Sequence, residues 1–308
     1  MTIAIIDLGT NTFNLLVAQS NGNGKYNIIH ESKHPVKLGE GGLTQKIITP
    51  AAWQRGIDAI DKHMQTAKGL SAEKFFAFAT SATRDASNGK EFVDEIYNRF
   101  GLKIEVIDGS REATLIYKGV RQAIELGDEC NLIVDIGGGS NEIILSNSKE
   151  IFWLKSFDLG VSRLMQLFNP SDPISKEQII AIENHIRKEI EPLLVAVKKH
   201  KPTRMVGSSG SFDSFRNILE FAGKIGLSDK TWAQIPMQEY VTLHNLFINS
   251  VREERLKIKG LDPIRVDLIV LASIFVNFLM EQFEIKSIYQ SEYALKEGFL
   301  SELSESIQ

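Results

Sequence analysis

Two stretches of this chain combine an acid with a small-residue turn, the combination that can grip a phosphate. Near the start, Ile5-Ile6-Asp7-Leu8-Gly9-Thr10-Asn11-Thr12 ends an apolar run on an aspartate, turns through small and hydroxylated residues, and leads into a second apolar run, Phe13-Asn14-Leu15-Leu16-Val17. Much later, Ile133-Val134-Asp135-Ile136-Gly137-Gly138-Gly139-Ser140, followed by Asn141-Glu142-Ile143-Ile144-Leu145, repeats the plan at a distance of 128 residues, from Asp7 to Asp135. In such a turn successive backbone N–H groups can converge on a phosphate, because no bulky side chain blocks the approach. An aspartate at each turn could face a Mg²⁺, an ion usually held through waters and phosphate oxygens rather than by a full protein cage. One turn alone reads equally well as an ordinary hairpin. The matched pair argues for two jaws around one phosphate chain.

Other loops add polar groups whose local meaning is ambiguous. Glu112, in Ile107-Asp108-Gly109-Ser110-Arg111-Glu112-Ala113, stands in the first turn of an expected helix, where a carboxylate complements the helix dipole. Arg84 closes Ala79-Thr80-Ser81-Ala82-Thr83-Arg84 and reads either as a phosphate-facing guanidinium or as a surface arginine beside Asp85. Glu142 could be a solvent-facing strand residue. Ser208 and Ser209, in Gly207-Ser208-Ser209-Gly210, lack the Gly-x-Ser-x-Gly pattern of a nucleophile elbow. The six histidines are scattered without metal-ligand spacing, and Lys198, Lys199 and Lys201 read as a solvated helix end.

Taken in order, these blocks, with Arg265-Val266-Asp267 as a later landmark, resemble the signature of the exopolyphosphatase and guanosine-pentaphosphate phosphatase family, within the actin, hexokinase and Hsp70 superfamily. The resemblance covers essentially the whole chain. It implies an α/β fold of two actin-like, ribonuclease H-like domains, with mixed sheets flanked by helices and the active site in the cleft between them. It implies Glu112 as the catalytic base that holds the attacking water. Thr10, Asn11, Thr12, Arg84, Gly137, Gly138, Gly139, Ser140, Ser208 and Ser209 are then expected on the phosphates. Asp7, Asp135 and Glu142 are expected around Mg²⁺, with Mn²⁺ as a substitute. The implied substrate is polyphosphate or guanosine pentaphosphate, and the implied assembly a homodimer. Arg111 departs from the pattern, since some relatives carry a further acid there. Longer members add C-terminal helical domains, and this chain is expected to hold the two core domains alone. A kinase of the same superfamily and a non-enzymatic nucleotide- or phosphate-binding regulator stay open as alternatives. The placement of Glu112 and the lack of inserted acceptor-binding modules weigh against the kinase.

The elements that must position these groups alternate along the chain, as α/β architecture requires. Each Asp-led unit reads as a β-hairpin. A turn at Asn21-Gly22-Asn23-Gly24 precedes a strand over residues 25–31. Thr49 and Pro50 start a helix over 50–68. A strand over 75–79 leads to a polar loop over 80–88, a helix over 90–100, a strand over 103–107, and a helix over 111–125 capped by Ser110. One long helix over 176–199 precedes a short strand over 204–206. The remainder reads as mostly helical, with a strand over 286–290 and a last helix from Glu292. The domains are expected at residues 1–125 and 126–308, the last helix packing back on the first domain.

Composition bounds the partners. With 308 residues, 43% of them apolar and 24% charged, the chain can fill two cores. A net charge of −4 argues against nucleic acid, while a local cationic cleft for a polyanion remains compatible with it. Cys130 is the one cysteine and reads as a small core residue. No membrane partner is expected: the most apolar stretch, over 266–280, falls short of the ~20 residues that span a bilayer and reads as a buried helix. The first residues lack the basic start of a signal peptide, so a cytoplasmic location is expected.

Overall fold

The computed structural model describes residues 1–22 and 25–305. The first half forms β1 (Thr2–Leu8), β2 (Thr12–Ser20), β3 (Tyr26–Pro35), α1 (Pro50–Gly69), β4 (Lys74–Ala79), α2 (Ser81–Arg84), α3 (Gly89–Phe100), β5 (Ile104–Val106) and α4 (Gly109–Ala123). Its five strands lie in the order β3-β2-β1-β4-β5, with β1, β2 and β3 antiparallel and β4 and β5 parallel to β1. The second half forms β6 (Asn131–Ile136), β7 (Asn141–Ser146), β8 (Ile151–Phe157), α5 (Val161–Phe168), α6 (Lys176–Glu189), α7 (Glu191–His200), β9 (Arg204–Ser208), α8 (Ser209–Phe221), β10 (Trp232–Ile235), α9 (Met237–Asn249), α10 (Arg252–Arg255), α11 (Leu268–Gln282), β11 (Ser287–Ser291) and α12 (Leu295–Glu305). Its six strands lie in the order β10-β11-β9-β6-β7-β8. Both sheets are mixed and begin with the same three-stranded meander.

The central strands β1 and β6 are apolar almost throughout because both of their faces are covered. Three apolar clusters show by what. Ala4, Ile6, Phe13 and Leu15 pack on one side of the first sheet with Ile57 and Ile60 of α1 and Phe92 of α3. Leu132, Val134, Ile143 and Leu145 pack on one side of the second sheet with Phe212 and Phe215 of α8 and the nearly uniformly buried α11. Between the sheets, Ile3, Ile5 and Leu16 of the first meet Ile133, Ile144 and Val206 of the second through α4 and α12. Each fully buried side chain of this kind contributes roughly 1.5–3 kcal/mol of transfer free energy. Helices α4 and α12 cross backbone to backbone: a Cβ on Gly119 would collide with the Ala294 carbonyl, and one on Gly298 with that of Leu115. Only glycine permits that approach. Arg111 and Lys118 of α4 then reach Glu302 of α12, each at 2.9 Å.

Several expectations need correction. The cap of α4 is Asp108, not Ser110; its carboxylate accepts the Arg111 N–H at 2.8 Å. The stretch expected as a polar loop contains the short helix α2, in which Ser81, Ala82 and Thr83 are buried. The helix expected over 176–199 is two, α6 and α7, broken at Ile190. Pro192 has no N–H to donate and its ring crowds the preceding turn. β8 and β10 were not anticipated, and the final helix starts at Leu295 rather than Glu292. The turn expected at Asn21-Gly22-Asn23-Gly24 lies in part outside the described residues. Among the described residues, no helix is long and apolar enough to cross a membrane.

Candidate active site

The two Asp-led turns close by the same hydrogen bond. Gly9 N–H closes the first on Thr12 O at 3.1 Å, and Gly137 N–H closes the second on Ser140 O at 3.1 Å. In each, the segment after the third strand of the meander ties down the turn's carbonyls. Val36 and Lys37 donate to Asn11 O at 2.9 Å, and Gly39 donates to Thr10 O at 3.3 Å. In the second unit Val161 donates to Gly137 O at 3.0 Å, while Ser162 and Arg163 donate to Gly138 O at 2.9 and 3.1 Å. With the carbonyls occupied, the N–H groups of Thr10, Asn11, Gly138 and Gly139 have no protein acceptor among the described residues. Such uncommitted amides are what an anion seeks.

The turns abut. A Cβ on Gly138 would lie 2.6 Å from Asn11 Nδ2, and one on Gly139 would lie 2.9 Å from Thr10 Oγ1, so side chains are excluded there. Beside them lies a cavity of about 190 Å³. It is lined by Asp7, Thr10, Asn11, Thr12, Glu112, Asp135, Gly137 to Ser140 and Ser209 from the expected set. Arg84, Glu142 and Ser208 stand behind this wall and act on residues that form it.

Each acid is held by a different neighbour. Asp7 faces Asn14 across the β1–β2 ladder and accepts its amide at 3.0 Å. Burial outweighs that bond and pushes the Asp7 carboxyl up to about 6. Asp135 faces Glu142 across β6–β7 and accepts the Ser208 and Ser209 hydroxyls, at 2.6 and 2.7 Å. Ser209 takes a left-handed φ of +68° to reach it, an uncommon conformation for a residue with a side chain. Burial raises Asp135, and burial together with Asp135's charge raises Glu142 to about 7. Glu142 also accepts the Ser156 hydroxyl at 2.6 Å. Glu112, 8% exposed, is pushed well above the usual carboxylate range by burial and by Glu142. Arg84 opposes that shift, its Nη1 donating to Glu112 at 3.0 Å and to Ile107 O at 3.1 Å.

Of the three serines expected on phosphate, Ser208 and Ser209 are thus turned on Asp135, and Arg84 is turned on Glu112. Arg111, whose role the pattern left open, is committed to Glu302 away from the cavity. The cavity also has lining groups that sequence reasoning did not single out: Asn14, Lys33, Asp213, Lys296 and Glu297, with Arg265 noted only as a landmark. One signal could have found Asn14, which follows Asp7 by seven residues as Glu142 follows Asp135. The others lie far away in the chain. Lys33 pairs with Asp262 at 3.1 Å, joining β3 to the segment before α11. Lys296 pairs with Glu31 and Glu297, both at 3.1 Å, and is held protonated by them. Gly210 leaves room for Arg265, whose guanidinium a Cβ there would strike.

Among the described residues, no three His, Cys, Asp or Glu side chains gather as a ready metal cage. The donors that do face the cavity are carboxylate oxygens, hard ligands that match Mg²⁺ when phosphate oxygens and waters complete the shell.

Comparison with known proteins shows the family and the fold. The model of the Ppx/GppA phosphatase family matches residues 16–306. A bifunctional 3-dehydroquinate synthase/phosphatase from Fusobacterium nucleatum is 30% identical over 94% of this chain. The chain spans only 44% of that protein's length. The crystal structure of an exopolyphosphatase from Cytophaga hutchinsonii superposes with a TM-score of 0.95 at 34% identity, covering 100% of this chain and 99% of that one. A Ppx/GppA protein from Aquifex aeolicus shares the fold, with a TM-score of 0.79 at 24% identity over 100% of this chain and 98% of its own. With its paired hairpins, its abutting turns and a family match over nearly its whole length, the chain belongs to the Ppx/GppA phosphatase family.

Proposed function

We propose that the protein is a Mg²⁺-dependent phosphohydrolase that releases the terminal phosphate of inorganic polyphosphate or guanosine pentaphosphate in the cavity between the two halves of the chain. The observation that carries this reading is the meeting of Glu112 with the uncommitted amides of both turns on one cavity. Glu112 has the properties of a base: it is buried, and burial and Glu142 raise its proton affinity well above that of an ordinary carboxylate. A water held on its carboxylate attacks the terminal phosphorus. The proton goes to Glu112, and the bridging oxygen leaves with the shortened chain. The amides of Thr10, Asn11, Gly138 and Gly139 bind phosphate oxygens and gain most where negative charge accumulates. Asp7 and Asp135 would hold Mg²⁺ at the cavity wall, with the charge of Glu142 behind Asp135 adding to the attraction, and the ion when bound offsets the charge of phosphates and carboxylates together. Ser208 and Ser209 orient Asp135, and Arg84 fixes the direction of Glu112.

The similarity to the Cytophaga hutchinsonii exopolyphosphatase supports polyphosphate as one substrate. Phosphate release is to be measured on polyphosphate and on guanosine pentaphosphate, with Mg²⁺, without any acceptor, and again after chelation. Release that needs Mg²⁺ but no acceptor is the expected result, and kcat/KM ranks the two substrates. Transfer only when an acceptor is supplied would make the protein a kinase instead.

A further inference from the structure

Arg163 is the side chain that joins the second turn to the loop behind Glu112. It sits in the first turn of α5 with its side chain 12% exposed. Its Nε donates to Gly139 O at 2.9 Å. Its Nη2 meets Asp85 Oδ2 at 2.7 Å and Ser81 Oγ at 3.3 Å, and its Nη1 meets Leu43 O at 3.4 Å. A weaker approach, 3.5 Å, runs to the exposed Asp158. One planar guanidinium therefore ties a glycine turn of the second half to two loops of the first, a task suited to a fork of five donors.

Asp85 is the pivot of this arrangement. Its Oδ2 also accepts the Ser81 hydroxyl at 3.0 Å, and its Oδ1 lies 3.5 Å from Arg84 Nε. Arg84 in turn holds Glu112 at 3.0 Å. The order Arg163, Asp85, Arg84, Glu112 is a row of alternating charges running from the second turn to the base. Both guanidiniums compete for Asp85. While Arg163 holds the short bond, Arg84 is left its longer contact to Asp85 and its shorter one to Glu112. Removing Arg163 would leave Asp85 with Arg84 and Ser81 as its remaining partners.

We infer that Arg163 is a positioning residue: by holding Asp85 against the second turn, it keeps Arg84 on Glu112 only when the two halves are clasped together. Two further bonds follow the same seam. Ser162 Oγ donates to Asn11 Oδ1 at 2.8 Å, and Gln166 Nε2 donates to Gly39 O at 2.8 Å. The clasp is thus made by one face of α5, and Arg163 is its connection to the base. Binding of phosphate at the turns and readiness of Glu112 are coupled through a residue outside the cavity lining.

This inference rests on the phosphohydrolase reading, so wild-type release of phosphate from polyphosphate with saturating Mg²⁺ is measured first. No release by the wild type sinks that reading and leaves nothing to position. Given wild-type release, Arg163→Gln, Arg163→Lys and Asp85→Asn are compared for kcat, KM and Tm. Arg163→Gln is expected to lower kcat by about tenfold or more while KM stays within about threefold. Arg163→Lys, which keeps the charge but not the fork, should fall between. Asp85→Asn should lower kcat similarly, and the double variant Arg163→Gln/Asp85→Asn should be little worse than either alone, because both break one connection. A KM that rises with kcat intact would make Arg163 a substrate contact and overturn the inference. Additive losses would overturn it as well, and so would a lowered Tm with unchanged kcat. If Arg163→Gln does not fold, the Lys and Asn variants decide alone.

Discussion

The first hairpin and the second have the same register and the same turn, yet they carry different charge. Across the first sheet, Asp7, Asn14 and Lys33 face one another on β1, β2 and β3: one acid, one amide, one cation. Across the second, Ser208, Asp135, Glu142 and Ser156 do so on β9, β6, β7 and β8: two acids between two hydroxyls. The backbone can be duplicated while the chemistry diverges, because alternate residues of a strand point to one face and each can be exchanged without moving its neighbours. Asn14 lowers the proton affinity of Asp7, whereas Asp135 raises that of Glu142. The second hairpin is therefore the one with most to gain from a divalent cation, and the first supplies amides with a single acid.

The largest effect should come from the group that both hairpins serve. Glu112→Gln is expected to leave Tm and substrate affinity close to wild type and to lower kcat by about 10²–10⁴, the usual worth of a positioned base. Near-native turnover would move the base elsewhere and leave the hairpins without a common purpose. Next comes a direct test of the asymmetry. Asp135→Asn and Asp7→Asn are each expected to reduce kcat/KM, with the loss at Asp135 larger by about tenfold. Each change removes one charge and little volume, so equal losses would show that the two hairpins share the cation evenly.

The smallest effect is one of stability. Burial pushes the Asp7 carboxyl up to about 6, and burial with the charge of Asp135 pushes Glu142 up to about 7, against about 4 when unfolded. Between those limits the folded state holds more protons than the unfolded chain, so stability falls as pH rises from about 4 to 7. Without divalent ions, Tm by differential scanning fluorimetry should be a few degrees lower at pH 7.5 than at pH 5.5. Millimolar Mg²⁺ at pH 7.5 should recover much of that difference, since an ion bound only by the native state stabilises it. The same titration on Glu142→Gln should flatten more than on Asp7→Asn. A Tm that rises with pH, or ignores Mg²⁺ in every variant, would contradict the acidic character assigned to the second row.

The paired hairpins, the α/β class and the family are legible in the sequence. The reason is local: an apolar run ending in Asp and a glycine turn specify a strand and its reversal within about a dozen residues. Capping and helix breaks are local too. Asp108 as the cap of α4 and Pro192 as the break after α6 follow from rules that the residues themselves satisfy, although Ser110 and an unbroken helix fitted the pattern as well. Glu112 was legible only through the resemblance, because a carboxylate in a helix's first turn means the same to the helix whether it faces water or phosphate.

What each polar group does was decided by the tertiary structure. Arg84 chooses Glu112, 28 residues on; Ser208 chooses Asp135, 73 residues back; Arg111 chooses Glu302, 191 residues on. Lys33 and Lys296 reach one cavity from opposite ends of the chain. A charged side chain is satisfied by whichever opposite group the fold brings within about 4 Å, and a sequence carries no local record of that distance. The sequence by itself determined which segments could grip a phosphate and where the chain turns. Packing α4 and α12 between two sheets determined which of the many acids and bases meet there.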